Sequence, residues 1–174
     1  MAGQPVEFSW CRSQDEAIRL AKLFATNLTG AYISHAELQG LRALDTTTWS
    51  PTIGSILESD MVSRIDQPLD AVEGKKTQLL VSGRLGGDDV AVFLVSFSRA
   101  AAVAYTEIED MMVVANARGD GIGHQFMQWV AQESKQRGIK RLFLESGITN
   151  DHAHEFFEDV GFHKISVVMM KSLQ

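Results

Sequence analysis

The sequence predicts an α+β fold built on one mixed sheet, and three observations carry that expectation. Helical patterning dominates up to about residue 70, strands linked by a glycine turn take over from 77 to 114, and helix and strand then alternate. With 174 residues and 45% apolar content, residues 1–174 fit a single domain that buries a core without disulfide staples.

Each element has a local reason. "VEFSWCR" (6–12) alternates and predicts a first strand. Ser13 and Glu16 in "SQDE" form a capping box that starts a helix running to about Leu28, with Ile18, Leu20, Ala21, Leu23 and Phe24 as its apolar stripe. "SHAE" (34–37) starts a second helix, and "SPTIGSILESDMVSRI", with Pro51 at the first helical position, a third that ends before "DQPLD". "TQLLVSGRL" (77–85), a "GGDD" turn and "VAVFLVSFS" (90–98) predict an antiparallel hairpin, followed by a strand in "AYTEIEDMMVV" (104–114). Ile122, Phe126, Trp129 and Val130 recur at helical spacing over 121–137, with Gly138 as the stop. A strand at 140–146, a helix at 150–160 behind Asn150 and a last strand at 162–172 complete the order.

Composition excludes several classes of function. A formal net charge of −6, with no long Lys/Arg run, argues against nucleic acid and anionic membranes as partners. The one cysteine, Cys11, has no partner for a disulfide and no companion ligand for a metal. His152 and His154 in "DHAH" are two apart and diverge around a helix, so no metal is expected. The opening "MAGQPVEF" lacks a basic-then-apolar leader, and the expectation is a cytoplasmic protein.

"NARGDGIGHQFMQW" (116–129) carries the most chemistry. A glycine-rich turn joining a strand to a helix is its plainest reading. Yet a helix N-terminus offers unpaired N–H groups and partial positive charge, and glycines let an anion reach them, with Arg118 adding a fixed cation; a phosphate-bearing ligand follows. A P-loop requires Lys-Ser/Thr after its last glycine, and Ile122 to His124 supply neither. A dinucleotide fingerprint would use Gly119 and Gly121, but His124 stands in the third glycine's place and only about fifty residues follow. The "RGD" at 118–120 is a chance tripeptide in a chain with no sign of secretion.

Arg118-Gly119-Asp120-Gly121-Ile122-Gly123 resembles the Arg/Gln-x-x-Gly-x-Gly/Ala pyrophosphate loop of the GNAT superfamily of acetyl-CoA-dependent N-acetyltransferases. "LESGITNDHAHEFFEDVGF" resembles that family's second half-motif, a strand, an Asn and a short helix ending in Gly-Phe. Two motifs in the right order are more specific than either alone, and the resemblance covers about 76–172. It implies a GNAT-like fold with the cofactor helix after the fourth strand, an acetyl-CoA-binding core over 76–174 and a helical part, 1–75, that shapes the acceptor pocket. It also implies that the amides of Arg118 to His124 cradle the CoA pyrophosphate. Met112 and Val113 would bond the pantetheine arm, with a bulge there turning one N–H toward the thioester oxygen. Asn150 matches the pantetheine-contacting Asn and equally suits a plain N-cap.

Acetyl transfer needs a neutral amine, so a base must take the ammonium proton. Glu107 and Glu109 lie two apart and share a strand face; Glu107 is the first choice, Glu109 the second, and Asp110 points the other way. The acid departs from the family's pattern. Where the family has Tyr, "HEFFEDVGF" has Phe157, which gives no proton, leaving water, Tyr105, Tyr32, His152 or His154. The expected activity is acetyl transfer from acetyl-CoA to a primary amine of a small molecule or peptide, a cationic acceptor suiting the acidic chain. A catalytically silent acyl-CoA-binding module and a protein N-acetyltransferase are the alternatives. Val167 to Met170 in the last strand suggest core or a homodimer seam.

Overall fold

The computed structural model describes residues 5–173, and its element order follows the sequence with one exception near the C-terminus. Five strands form one sheet in the order β1-β2-β3-β4-β5. These are β1 (Glu7–Trp10), β2 (Lys76–Leu85), β3 (Asp88–Ser98), β4 (Tyr105–Val113) and β5 (Leu142–Leu144). The first four are antiparallel neighbours, and β5 joins β4 in parallel, as a strand returning through a helix must. Gly86 and Gly87 form the β2–β3 turn, both at positive φ (61° and 94°), the requirement of a two-residue hairpin.

Helices α1 (Gln14–Ala25), α2 (His35–Gln39) and α3 (Ile53–Ser63) precede the hairpin. Ser13 caps α1 by accepting from the Glu16 N–H at 3.4 Å. At α2, the Ser34 N–H donates to Glu37 at 2.8 Å, one half of a capping box. α1 stops at Ala25 rather than Leu28, and α3 starts at Ile53 rather than Pro51, because Ser50 to Thr52 form a turn in which the Ile53 N–H bonds the Ser50 carbonyl.

The sheet separates two apolar clusters. Ala17, Leu20, Ala21 and Phe24 of α1 and Leu57 and Met61 of α3 bury against Leu80, Val92, Leu94 and Met112 on one face. On the other, α4 (Ile122–Gln136) lays Ile122, Phe126 and Val130 onto Val81, Phe93, Val95 and Ile108. Phe93 and Phe126 stack with centroids 3.6 Å apart, ringed by Phe8, Trp10 and Trp129. Burying each such ring is worth about 2–3 kcal/mol, so the α4 face anchors the sheet. Among the described residues no helix is long and apolar enough to cross a membrane.

The exception is the last strand expected over 162–172. After α5 (Asp151–Asp159) the chain runs on without strand pairing, its side chains exposed. Alternation and apolar content make a segment able to be a strand. A paired partner makes it one, and this segment has none among the described residues.

Candidate active site

The site begins at an irregularity in β4. Opposite β3, Leu94 pairs with Asp110 and Val95 with Ile108, so Glu109 is an extra residue. A bulge was expected at Met112 and Val113; it lies here instead. Its consequence is a change of parity. Thr106 and Ile108 face α4, where Thr106 bonds Ser134 at 2.7 Å, whereas Asp110 and Met112 face α1 and α3. Asp110, expected on the other side from the two glutamates, therefore joins them on one face. Strict alternation misses this, because nothing in "TEIEDMM" marks where an extra residue enters the ladder.

β5 stays with β4 only from Thr106 to Ile108, and beyond that the two strands part. The gap holds a cavity of about 60 Å³ lined by Tyr32, Glu37, Asp110 and Met111 on one side and Ser146, Asn150 and Phe157 on the other. An adjoining recess of about 170 Å³ is lined by Glu37, Arg42, Lys76, Glu107, Glu109, Asp110 and Glu145. Gly147 clamps the first helical segments to β5: a Cβ there would lie 2.3 Å from the Ala31 carbonyl oxygen and 2.6 Å from that of Ile33. That contact holds Tyr32 in the gap.

Tyr32 closes the gap's floor. Its hydroxyl accepts from the Met111 N–H at 2.7 Å and donates to the Met111 carbonyl at 3.2 Å. Backbone groups alternate in direction along a strand, and the Val114 N–H bonds Val90 on β3; the groups of Met111 and Val113 therefore turn toward the gap, and those of Met112 toward β3. Met112, expected to offer its backbone to the ligand, is thus a core residue. Val113 keeps an outward N–H, while its carbonyl accepts from Arg118 Nε at 2.9 Å.

The carboxylates are not equivalent. Lys76 Nζ lies 2.7 Å from Glu107 and 2.8 Å from Glu109, and Arg64 lies 2.7 Å from Glu109. Burial alone would raise Glu109, but the Arg64 charge and the Lys76 contact outweigh it and hold the carboxyl down at about 2. Such a group stays ionised and is a poor proton acceptor. Asp110 is the reverse case: burial raises it to about 6 against the pull of Arg42, which donates to Oδ2 at 2.8 Å. Its Oδ1 is buried without a hydrogen-bond partner among the described residues. An orphaned carboxylate oxygen beside a cavity is a feature that stability alone does not explain.

Glu109 is thus part of an ion-pair framework with Arg64 and Lys76 that can contribute to stability. Its depressed pKa means that the contribution is present above its unfolded value near 4.5 and is lost as pH falls through about 2. Glu109→Gln should lower the unfolding free energy at pH 7 by about 2–3 kcal/mol, measured by urea titration, with the difference vanishing toward pH 2. An unchanged midpoint at pH 7 would remove Glu109 from the ion-pair framework.

The glycine loop sits at the start of α4 as expected, but its glycines divide into two kinds. Gly119 (φ +90°) and Gly121 (φ +77°) hold left-handed backbone, and a Cβ on either would meet open space. The N–H groups of Gly119, Asp120, Gly121, Ile122, Gly123 and His124 have no partner among the described residues, and the ladder begins with the Gln125 N–H on the Gly121 carbonyl. These amides and the adjacent Arg118 fit an anionic phosphate. Gly123 serves packing instead. A Cβ there would stand 2.9 Å from the Phe156 ring and 3.0 Å from Met111 Cε, so its bareness lets α5 and the gap's Met111 close on the first turn of α4. His124 is exposed and meets Phe156 edge-on with centroids 5.1 Å apart.

Asn150 precedes α5 and lines the cavity with Phe157. It holds the N-cap position, its carbonyl accepting from the His154 N–H at 3.0 Å, without a side-chain capping bond. His152 is fully exposed on α5. No group of three or more His, Cys, Asp or Glu able to hold a metal occurs among the described residues.

The chain has relatives among known proteins. A family model described as the acetyltransferase (GNAT) family matches residues 41–162. Over 67 residues the chain is 30% identical to the aminoalkylphosphonate N-acetyltransferase of Salmonella typhimurium, a match spanning 38% of this chain and 44% of that one, less than half the relative's length. The solved ribosomal-protein-alanine N-acetyltransferase from Brucella melitensis biovar Abortus 2308 aligns with a TM-score of 0.63 at 11% identity, over 97% of this chain and all (100%) of that one. AAC(6')-Iy in complex with the bisubstrate analog CoA-S-monomethyl-acetylneamine aligns with a TM-score of 0.65 at 10% identity, over 98% of this chain and 99% of that one. At those identities the two structures speak for the fold, and the family match, which spans most of the chain, speaks for the lineage: the protein belongs to the acetyltransferase (GNAT) family of acyltransferases.

Proposed function

We propose that the protein transfers an acetyl group from acetyl-CoA to a primary amine of a cationic small molecule. The observation that carries the acceptor class is the recess beside β4, whose lining holds five carboxyl groups, Glu37, Glu107, Glu109, Asp110 and Glu145, against two cations, Arg42 and Lys76, with Arg64 reaching Glu109 from outside it. Both cations are already paired, Arg42 with Asp60 and Asp110 and Lys76 with Glu107 and Glu109. The surplus of negative charge draws an ammonium group in, and no unengaged cation in that lining awaits an anionic substituent. The free amides of Gly119 to His124 support the donor side, holding the pyrophosphate while the outward N–H of Val113 meets the pantetheine arm.

Bound acetyl-CoA supplies an activated acyl carbon and a thiolate leaving group. The chain's own residues do the rest. Asp110, with its unpartnered Oδ1 and a pKa near 6, takes the proton that the attacking ammonium must lose, through water in the cavity. Glu107 helps recruit the cation, and Glu109 fixes Arg64 and Lys76 around it. When Tyr32 swings off Met111, the freed N–H faces the developing oxyanion. Burial and the Asp110 charge push the Tyr32 phenol well above its usual range, so it keeps its proton at neutral pH and offers it as a hydrogen bond to the departing sulfur. It would take the place left open by Phe157. Tyr32→Phe should lower kcat about tenfold or more with little change in the acetyl-CoA Kd. A native kcat in that variant would return the role to water.

The neighbour AAC(6')-Iy carries a CoA–acetylneamine analog, which makes aminoglycosides a natural panel member. Thiol release should be measured with polyamines, aminoglycosides, aminoalkylphosphonates and short peptides. Polycationic amines should show the highest kcat/KM, at least tenfold above aminoalkylphosphonates, with a rate that falls as salt rises. Acetyl-CoA binding without thiol release to any amine would instead favour the silent binding module. A preference for peptides would make the protein a peptide acetyltransferase.

A further inference from the structure

Lys76 opens β2 and lines the acidic recess beside β4. Its Nζ lies 2.7 Å from Glu107 and 2.8 Å from Glu109, and no other acceptor holds it among the described residues. The side chain is 38% exposed, so its ammonium can move to solvent without unpacking the core. Burial would lower its pKa, but the hydrogen bonds and charges of Glu107 and Glu109 outweigh that and raise it, so the group is fully charged at neutral pH. The recess assigned to the acceptor's ammonium group thus already contains one, tethered to the chain.

The two carboxylates depend on Lys76 unequally. Glu109 also takes Arg64 at 2.7 Å and the Gln78 amide at 3.2 Å. Glu107 has only Lys76 among the described residues. When Lys76 moves out, Glu107 is left to another cation, and Glu109 stays fixed beside it.

Register sets the spacing to the base. Glu107 pairs with Ser96 and Asp110 with Leu94, two positions apart on β3. Two strand steps span about 7 Å, and both carboxyl groups share one face of the sheet. Asp110 is buried, lines the same recess and keeps its Oδ1 without a partner among the described residues. One anionic point thus receives the reacting nitrogen, and the other holds a lysine. Nitrogens that far apart belong to an unbranched diamine with about four or five methylenes.

We propose that Glu107 and Glu109 form a subsite for a second ammonium group of the acceptor, a linear diamine, and that Lys76 competes for this subsite as a tethered ammonium. The inference rests on the acetyl-transfer reading for the role of Asp110. A diamine of the right length displaces Lys76 and is held at both ends, whereas a monoamine leaves Lys76 in place. Lys76 thereby makes the site select for length as well as charge.

Calorimetry on the full chain reads this subsite without turnover, using unbranched diamines of about three to eight methylenes and the matching monoamines. The native protein should bind diamines of about four or five methylenes at least fivefold more tightly than shorter or longer ones. Lys76→Met should tighten diamine binding by about tenfold beyond any change for the monoamine, a gain that misfolding cannot produce. Lys76→Arg, which keeps the competing charge, should match the native chain, and Glu107→Gln should lose the length preference. Equal binding of diamines and monoamines by the native chain, or equal tightening of both in Lys76→Met, would overturn the subsite even with thiol release to monoamines intact. Length-selective binding with no thiol release to any amine would keep the subsite and overturn acetyl transfer instead.

Discussion

Gly121→Glu is expected to abolish acetyl-CoA binding, raising Kd at least 100-fold in calorimetry. Two effects act together. Gly121 has φ +77°, a conformation that costs an L-residue about 1–2 kcal/mol. A carboxylate at the mouth of α4 then places negative charge where six unpaired N–H groups and the helix dipole await a phosphate. Gly121→Ala separates the two, since it carries the strain without the charge and should weaken binding by only about tenfold. An unchanged Kd in Gly121→Glu would mean that the loop is a plain connection between β4 and α4.

The second large effect is expected at Asp110. Asp110→Asn should lower kcat by about 10²- to 10⁴-fold while leaving the acetyl-CoA Kd intact, the range a positioned base contributes. The pH profile is the sharper readout. A base works when deprotonated, so native activity should fall as pH drops through about 6, and that acid limb should be absent in Asp110→Asn. Glu107→Gln, by contrast, should keep the limb. If Glu107→Gln loses the limb and Asp110→Asn keeps it, the roles are reversed. The stability sign is consistent with function: the raised pKa means that whatever Asp110 contributes to folding is present below about 3.8 and is lost as pH rises through about 6. At neutral pH the fold carries a buried charge at a cost, which a purely structural residue would not require.

Much of the fold was legible because its signals are local. Ser13, Gly86-Gly87 and the Ile122/Phe126/Val130 stripe each state a cap, a turn or a face within a few residues. The glycine loop was legible for the same reason, since a helix N-terminus and bare backbone are read together in one short stretch. Asp110 and Met112 were misplaced because a bulge shifts every later side chain to the opposite face, and the ladder with β3 rather than the β4 sequence decides where it enters. Asn150 was half legible: its position before a helix suggested a cap, while its lack of a side-chain capping bond could only be seen in three dimensions.

The sequence by itself determined the order of elements from β1 to α5, the antiparallel hairpin, the anion-ready mouth of α4 and the acidic character of β4. These depend on periodicity and on residue types close together in the chain. The tertiary structure alone decided which carboxylate keeps an unpartnered oxygen and which is fully ion-paired, that Tyr32 from the first helical segments reaches Met111, and that residues 163–173 find no partner strand among the described residues. Each of those depends on contacts between segments far apart in sequence, where burial and opposing charge set the chemistry of a group that in isolation would be an ordinary aspartate, tyrosine or strand.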